Sequence, residues 1–417
     1  MTPEIKKRIE QIRRGEVPEG YKRTKVGIVP NEWSEDNLGE YLQEYKKLSN
    51  DIDRYPVYSS SRQGLIPQSQ YYDKREAVET NLGYKIVPKE YVTYRHMSDD
   101  DIFHFNINDT GTEVLVSSEY PVFTSSPKGN LGYIIPMLND TARFRYFCRT
   151  QKLGGTRTRL YYKNLCTYKT SFPPLSEQEK IAEILSIQDK VIALKEKLLE
   201  EKKRQKKALM QQLLTGKKRL PGFVGEWKEM KLGDICSTYS GGTPNRANSE
   251  FYGGDIPWIK SGELNQGDIY YTEESLTRVG LENSSAKIVP SGTLLIAMYG
   301  ATAGALAFTH IDAAINQAIL ALIPSMEVNT LLLKESLMIQ IEIATHRLTQ
   351  GGQPNFNASI IKSFKIILPS IDEQDAIANI AKIANDEISL LQKEIDQEKQ
   401  KKKALMQLLL TGIVRVN

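Results

Sequence analysis

The feature that most constrains this chain is a long internal repeat. Residues 173–219 align without a gap to residues 369–415, at a constant offset of 196, with 22 identities in 47 positions. The match includes Glu177-Gln178 with Glu373-Gln374, Lys206–Gln211 with Lys402–Gln407, and Leu-Leu-Thr-Gly at 213–216 and 409–412. A weaker echo opens each half, Trp33 with Leu38-Gly39 and Trp227 with Leu232-Gly233, at an offset of 194. The chain is therefore two tandem halves, in which a helical segment is kept while the domain before it has diverged.

Each repeat carries helix punctuation. Pro173-Pro174 stops a preceding strand, Ser176 with Glu179 has the capping-box pattern, and Gly216 stands where a left-handed C-terminal cap belongs. Asp372 with Asp375 is a variant start in the second copy. A helix from Ser176 to Leu214 is about 58 Å long, too long for a compact domain. Ile184, Ile187, Val191, Leu194 and Leu198 fall at alternating spacings of three and four, the seam of a coiled coil. Ile377, Ala381, Ala384, Ile388, Leu391 and Ile395 do the same. Each stripe needs a partner. Packing on the helix's own domain is one solution, but two matched copies favour pairing with each other about a pseudo-two-fold axis. That pairing makes them antiparallel and sends their domains to opposite ends.

A length of 417 residues with 40% hydrophobic and 8% aromatic residues allows two or three ordinary cores. The net charge of +4 is too small to single out a nucleic-acid partner, so local distribution has to carry that argument. It is uneven: +4 for residues 1–175, +5 for 176–219, −4 for 220–371 and −1 for 372–417. Cys148, Cys166 and Cys236 form no CxxC pair, and His96, His104, His310 and His346 have no metal-ligand spacing. No metal site is expected, and a reducing cytoplasm fits best. The charged start, Met1 to Glu10, lacks the apolar core of a signal peptide. The uncharged stretch Ile288–Thr309 is interrupted by Pro290, Gly292, Gly300 and Gly304, which suits strands joined by a turn rather than a membrane span.

Both divergent domains read as α+β, with strands before a late helix. The first, 22–172, has strand-like runs at Lys85–Tyr94 and Ile102–Ile107 and a helix near Thr141–Leu153. The second, 220–368, has strand candidates at Ile256–Lys260, Thr293–Met298 and Ala318–Ile323 and a helix near Thr330–Leu348. Residues 1–21, 173–219 and 369–417 form the helical remainder.

After each late helix come glycines and a polar loop: Gly154-Gly155-Thr156-Arg157-Thr158-Arg159 and Gly351-Gly352-Gln353-Pro354-Asn355. The paired donors and acceptors of Arg, Gln and Asn match guanine and adenine edges in the major groove. A surface turn explains either loop alone, and their equivalent placement is what raises base contact to a comparable reading. Earlier in each domain, Ser59–Gly64 contains Arg62, and Ser240–Arg246 contains Thr243 and Arg246, suited to phosphate contact or to an ordinary hairpin turn. The basic run Lys202-Lys203-Arg204 with Lys206-Lys207, and Lys401–Lys403 in the other copy, could touch phosphate, meet an acidic partner or be a solvated helix face.

Catalytic motifs are missing. There is no GxxxxGK[ST] loop for nucleoside triphosphate, no Asn/Asp-Pro-Pro-aromatic tetrapeptide of amino-methyltransferases and no FxGxG cofactor turn, so no cofactor is expected. Recognition or scaffolding remains.

Phe172–Ala182, its partner Leu368–Ala378 and the Leu-Leu-Thr-Gly helix ends resemble the specificity subunit of type I restriction-modification systems. Gly241-Gly-Thr-Pro through Gly254-Asp-Ile-Pro-Trp-Ile-Lys-Ser-Gly-Glu-Leu resembles a common start of that family's target recognition domains, and Val29–Trp33 its usual lead into the first one. The resemblance implies an α+β chain of two pseudo-symmetric target recognition domains separated by two long antiparallel coiled-coil helices, with Thr2–Arg14 packing beside the C-terminal helix. It implies a non-catalytic, cytoplasmic subunit that reads a bipartite site in double-stranded DNA. Two modification subunits would methylate adenine, and restriction subunits would add ATP-dependent cleavage, with the helix pair a ruler for the unread gap. DNA contacts are then expected at Arg62, Arg157, Arg159, Thr243, Arg246, Gln353 and Asn355, and partner contacts at Glu177, Gln178, Glu373 and Gln374. The alternative is a coiled-coil scaffold organising protein partners.

Overall fold

The computed structural model describes residues 2–68, 83–152, 156–348 and 355–416. It divides into two compact units, one of Met1–Glu196 with Glu394–Asn417, the other of Lys197–Lys393. Two long helices, Leu175–Leu214 and Ile371–Leu409, each contribute one half to either unit.

The two units share a sheet that their sequences conceal. In the first, the order is Asn106–Ile107, Val92–Thr93, Val122–Ser125, Leu42–Glu44. In the second it is Leu306–Phe308, Leu294–Ala297, Ile319–Pro324, Cys236–Ser240. All these pairs are antiparallel, and in both units the strands lie third, second, fourth, first by chain position. The strand run expected over Lys85–Tyr94 is two strands, Tyr84–Val87 and Val92–Thr93, because Pro88 offers no donor and Glu90 turns the chain at φ 65. Of Ile102–Ile107 only Asn106–Ile107 pairs; the Phe105 amide and carbonyl are taken by the Asn139 side chain at 2.8 and 3.1 Å. The late helices are Ala142–Thr150, preceded by the unanticipated Leu131–Asp140, and Thr330–Leu348. Leu153 lies outside the described residues.

The repeat earns its sequence by completing these cores. Met406, Leu409 and Leu410 are buried with Tyr94, Phe105, Phe123 and Phe144 in the first unit. Met210, Leu213 and Leu214 are buried with Leu294, Ile296, Leu320 and Leu333 in the second. At about 1.5–3 kcal/mol for each such side chain taken from water, the Ala-Leu-Met-Gln-x-Leu-Leu pattern is a core element of both units. Gly216 and Gly412 then turn the chain at φ 70 and 69, as the C-cap reading requires. Trp227 lies over Gly216, and Trp33 over Gly412, each within 3.4 Å of where a Cβ would stand.

The helices pair antiparallel within each unit. In the first, Gln188 donates to Glu398 at 2.8 Å, Lys195 meets Glu394 at 2.9 Å and Lys402 meets Asp189 at 2.6 Å. In the second, Lys202 meets Glu387 at 2.6 Å. The seam of the central helix is displaced by one residue from the expected stripe. Ile181, Leu185, Gln188, Ile192 and Leu199 are buried, while Ile187, Leu194 and Leu198 are 54%, 67% and 46% exposed. Gln188 and Lys195 occupy seam positions with their own polar partners, so an apolar search slides onto the neighbouring row. The second stripe stands, with Ile377, Ala381, Leu391 and Ile395 buried. The helix starts also shift: Leu175 and Ile371 are the first helical residues, which places Ser176 and Asp372 inside the first turn rather than at the cap.

Candidate nucleic-acid interface

In the first unit, the hairpin Tyr58–Ser61/Gly64–Pro67 carries Arg62 at its tip. The short strand Thr158–Arg159 pairs with Met97–Ser98 and presents Arg157 beside it, with Arg159 exposed. These two segments meet three consecutive aspartates that motif reasoning overlooked. Arg62 Nη2 lies 2.5 Å from Asp100 Oδ1, Arg157 Nε donates to Asp99 Oδ1 at 2.8 Å, and the Thr158 hydroxyl donates to Asp101. The Arg62 guanidinium holds the Asp100 carboxyl below its usual range, with Ser98 Oγ adding a second bond at 2.8 Å. Both ion pairs are half-exposed, so each contributes at most about 1 kcal/mol and opens readily when a better acceptor arrives.

In the second unit, Arg246 is held at 2.5 Å by Glu274 and lies over the Tyr252 and Trp258 rings at 4.6 and 5.0 Å. Lys260 bonds the same carboxylate at 2.9 Å, and the two cations keep the Glu274 carboxyl below its ordinary value. Thr243 donates its hydroxyl to Gln317 Oε1. Asn355 is exposed, directly before the fully buried Phe356; Gln353 lies outside the described residues, as do Gly154-Gly155 and Gly351–Pro354. Arg246 is thus held by an acidic partner and Thr243 by an amide.

The four repeat residues expected to meet a partner are instead internal, at 4% exposure or less. Glu177 accepts from Trp33 Nε1 at 3.1 Å and from Arg415 Nε and Nη2 at 2.7 and 2.9 Å. Glu373 accepts from Trp227 Nε1 at 3.1 Å and from Arg219 Nε and Nη2 at 3.2 and 2.6 Å. Gln178 bridges the Asn130 amide and the Lys128 and Pro173 carbonyls; Gln374 bridges Asn329, Glu327 and Pro369 in the same way. A buried carboxylate needs such partners, and here they tie each helix start to the tail that follows the other helix and to the tryptophan that opens the domain. The weak Trp echo in the sequence was the sign of this lock. At the open end of the chain, Arg8 Nη1 and Tyr21 Oη donate to Ile413 and Gly412 carbonyls at 2.6 and 2.8 Å.

What remains exposed on the helices also repeats. Leu175, Ile187 and Leu194 in the first unit match Ile371, Ile383 and Leu390 in the second at the offset of 196, and all six are at least 38% exposed. Lys203, Lys207, Met210 and Gln211 line a groove in the second unit, and their equivalents Lys399, Lys403, Met406 and Gln407 line one in the first.

The doubled architecture has known counterparts. The family described as type I restriction modification DNA specificity domain matches residues 39–204 and 225–400. The chain belongs to that family. One copy of the domain falls in each half, as the repeat requires. Two chains of Methanocaldococcus jannaschii described as type I restriction enzyme specificity subunits, MjaX (a provisional designation) and MjaVIII, are 26% and 24% identical to this specificity subunit over 431 and 413 residues. The alignments cover 95% and 93% of this chain and 97% and 94% of theirs. A solved S subunit of a type I restriction-modification system from M. genitalium shares the fold at a TM-score of 0.57 and 14% identity, over 90% of this chain and 96% of that one. Among the described residues no His, Cys, Asp and Glu group could hold a metal ion, and no helix is long and apolar enough to cross a membrane.

Proposed function

We propose that this chain is the DNA-reading subunit of a type I restriction-modification complex, with each unit recognising one half of a bipartite target. The observation that carries this is the shared four-stranded sheet in two units whose rims differ: one scaffold used twice, with different side chains at the reading edge. Arg62, Arg157 and Arg159 contact DNA in the first unit, and Thr243, Arg246 and Asn355 in the second, with Gln353 two positions before Asn355 in the sequence. Arginine suits the O6/N7 edge of guanine, which offers two acceptors in the place of one carboxylate.

Methyl transfer and cleavage belong to partner subunits in the cytoplasm. Two equivalent rows of exposed apolar residues, Leu175/Ile187/Leu194 and Ile371/Ile383/Leu390, beside two equivalent lysine-rimmed grooves, favour two copies of one modification subunit, with restriction subunits joining that assembly. The long helices then set the unread gap.

The test is methylation mapping with the purified chain and its modification subunits. Arg157→Ala is expected to relax base choice in one half-site only, by about 1–3 kcal/mol. Equal loss on every sequence would reduce Arg157 to a phosphate contact, and methylation insensitive to the chain's identity would remove the reading. Four residues inserted after Lys195 and after Leu391 are expected to lengthen the gap by one to two base pairs, since one helical turn is about 5.4 Å.

A further inference from the structure

The acidic second unit has no counterpart to Arg157 among the described residues around its return segment, yet the fold marks where its reading edge lies. In the first unit the return strand is anchored by Leu160 N donating to His96 O at 2.8 Å. In the second, Phe356 N donates to Met298 O at the same distance, and Phe356 is Leu160 displaced by 196 residues. Tyr299-Gly300-Ala301-Thr302-Ala303 therefore takes the place of Met97-Ser98-Asp99-Asp100-Asp101. Three aspartates in one unit become alanine, threonine and alanine in the other.

Met298 also donates its own amide to Ala318 O at 2.8 Å. Three segments thus converge on one residue. In each, a buried position (Met298, Ala318, Phe356) is adjacent to an exposed one (Tyr299, Gln317, Asn355), with Gln317 in a turn and Tyr299 in a bend just beyond the strands. Gln317 is in turn held by the Thr243 hydroxyl, which donates to its Oε1 and so leaves the amide nitrogen uninvolved in that bond. The four described side chains so gathered, two carboxamides, a phenol and a hydroxyl, are uncharged.

We propose that the second unit reads its half-site through this neutral rim, with Gln317 and Asn355 as adenine-reading amides and Tyr299 packed beside them. A carboxamide donates to adenine N7 and accepts from N6, a pair of bonds that guanine's two acceptors cannot satisfy. Uncharged amides here also fit a unit with 10 basic and 14 acidic residues over 220–371, which cannot draw in phosphate by net charge and whose Arg246 is already paired with Glu274. The inference rests on the reading of both units as DNA readers.

The test selects bound duplexes from a library randomised at both half-sites, using the full chain complexed with its modification subunits, and compares Gln317→Ala, Asn355→Ala and Arg157→Ala. Asn355 and Gln317 are exposed, so circular dichroism and thermal midpoints should match the parent. The expected result is that each amide variant loses preference at one A·T position of a single half-site, by between about 5- and 150-fold, while Arg157→Ala alters only the other. Asn355→Asp, which removes the donor at constant size, should shift that position toward cytosine. Unchanged base choice for both amide variants, with Arg157→Ala still altering its half-site, would overturn the neutral rim and leave the general reading intact. No change from any variant would sink the reading itself, and uniform loss across sequences would make these amides phosphate contacts.

Discussion

Arg219→Ala probes the lock at the start of the C-terminal helix. In the parent, the Glu373 carboxylate is 1% exposed and takes two bonds from Arg219 and one from Trp227. Arg219 also bonds the Gly225 carbonyl at 2.7 Å and lies 5.6 Å over the Trp227 ring. Truncation leaves a buried charge with a single indole donor. Removing one member of a buried pair costs about 3–5 kcal/mol; because the Arg219 side chain is itself 30% exposed and water can follow its loss, the lower end, about 3 kcal/mol, is expected. For a unit of this size each kcal/mol lowers the midpoint by about 2–4 °C, so the second unit should melt about 6–12 °C earlier. Calorimetry with tryptophan fluorescence reads this, since Trp227 and Trp258 both lie in that unit. Adding Glu373→Gln should recover most of the loss, because a neutral amide can accept from Trp227 without needing a cation. A midpoint within about 2 °C of the parent for Arg219→Ala, or a double variant no better than the single, would refute the buried-charge account.

Arg415→Ala should lower the first unit's midpoint by a similar amount through Glu177 and Trp33, read as an early change in Trp33 emission; an unchanged emission profile counts against equivalence of the two locks. Asp99→Asn with Asp100→Asn frees Arg62 and Arg157 and is expected to raise affinity for unrelated DNA about tenfold at low salt, less at high salt, in a binding titration; no gain would mean the pairs do not restrain the arginines. Burial holds the His96 imidazole below its ordinary pKa, opposed by Glu119 3.9 Å away. Its proton therefore binds more readily in the unfolded chain, so the first unit should lose stability as pH falls below about 6.5. His96→Gln should flatten that dependence in melts between pH 5 and 8. Gly216→Ala should destabilise the second unit by about 1 kcal/mol or more, since φ 70 is left-handed.

Much of the architecture was legible because repeats and helix punctuation are local. The offset of 196, the left-handed glycines, the Thr330–Leu348 helix and the second coiled-coil stripe all follow from spacing along one stretch of chain. The first stripe failed for a physical reason: Gln188 and Lys195 occupy seam positions that hydrophobicity alone rejects. The repeat held the answer, because Ile181, Leu185, Gln188 and Ile192 are Ile377, Ala381, Ala384 and Ile388 displaced by 196.

The proposed recognition edges were less legible. Arg62 and Arg157 stood out as residue types, but Asp99 and Asp100, their partners, are 37 or more residues away from Arg62 and 57 or more from Arg157. Gln317 and Tyr299 carried no motif, and backbone bonds at Met298 join their segments to that of Asn355. The Glu-Gln pairs illustrate the same division. Their repetition marked them as important, yet a carboxylate and an amide read on paper as surface contacts. Burial is a property of what surrounds a side chain in three dimensions. Trp33, Arg415, Trp227 and Arg219 lie far away in sequence from the carboxylates they satisfy. Sequence alone determined that two like helices organise two domains of divergent sequence; the tertiary structure decided which polar residues are locks and which stay exposed, because hydrogen bonds between distant segments leave no period along the chain.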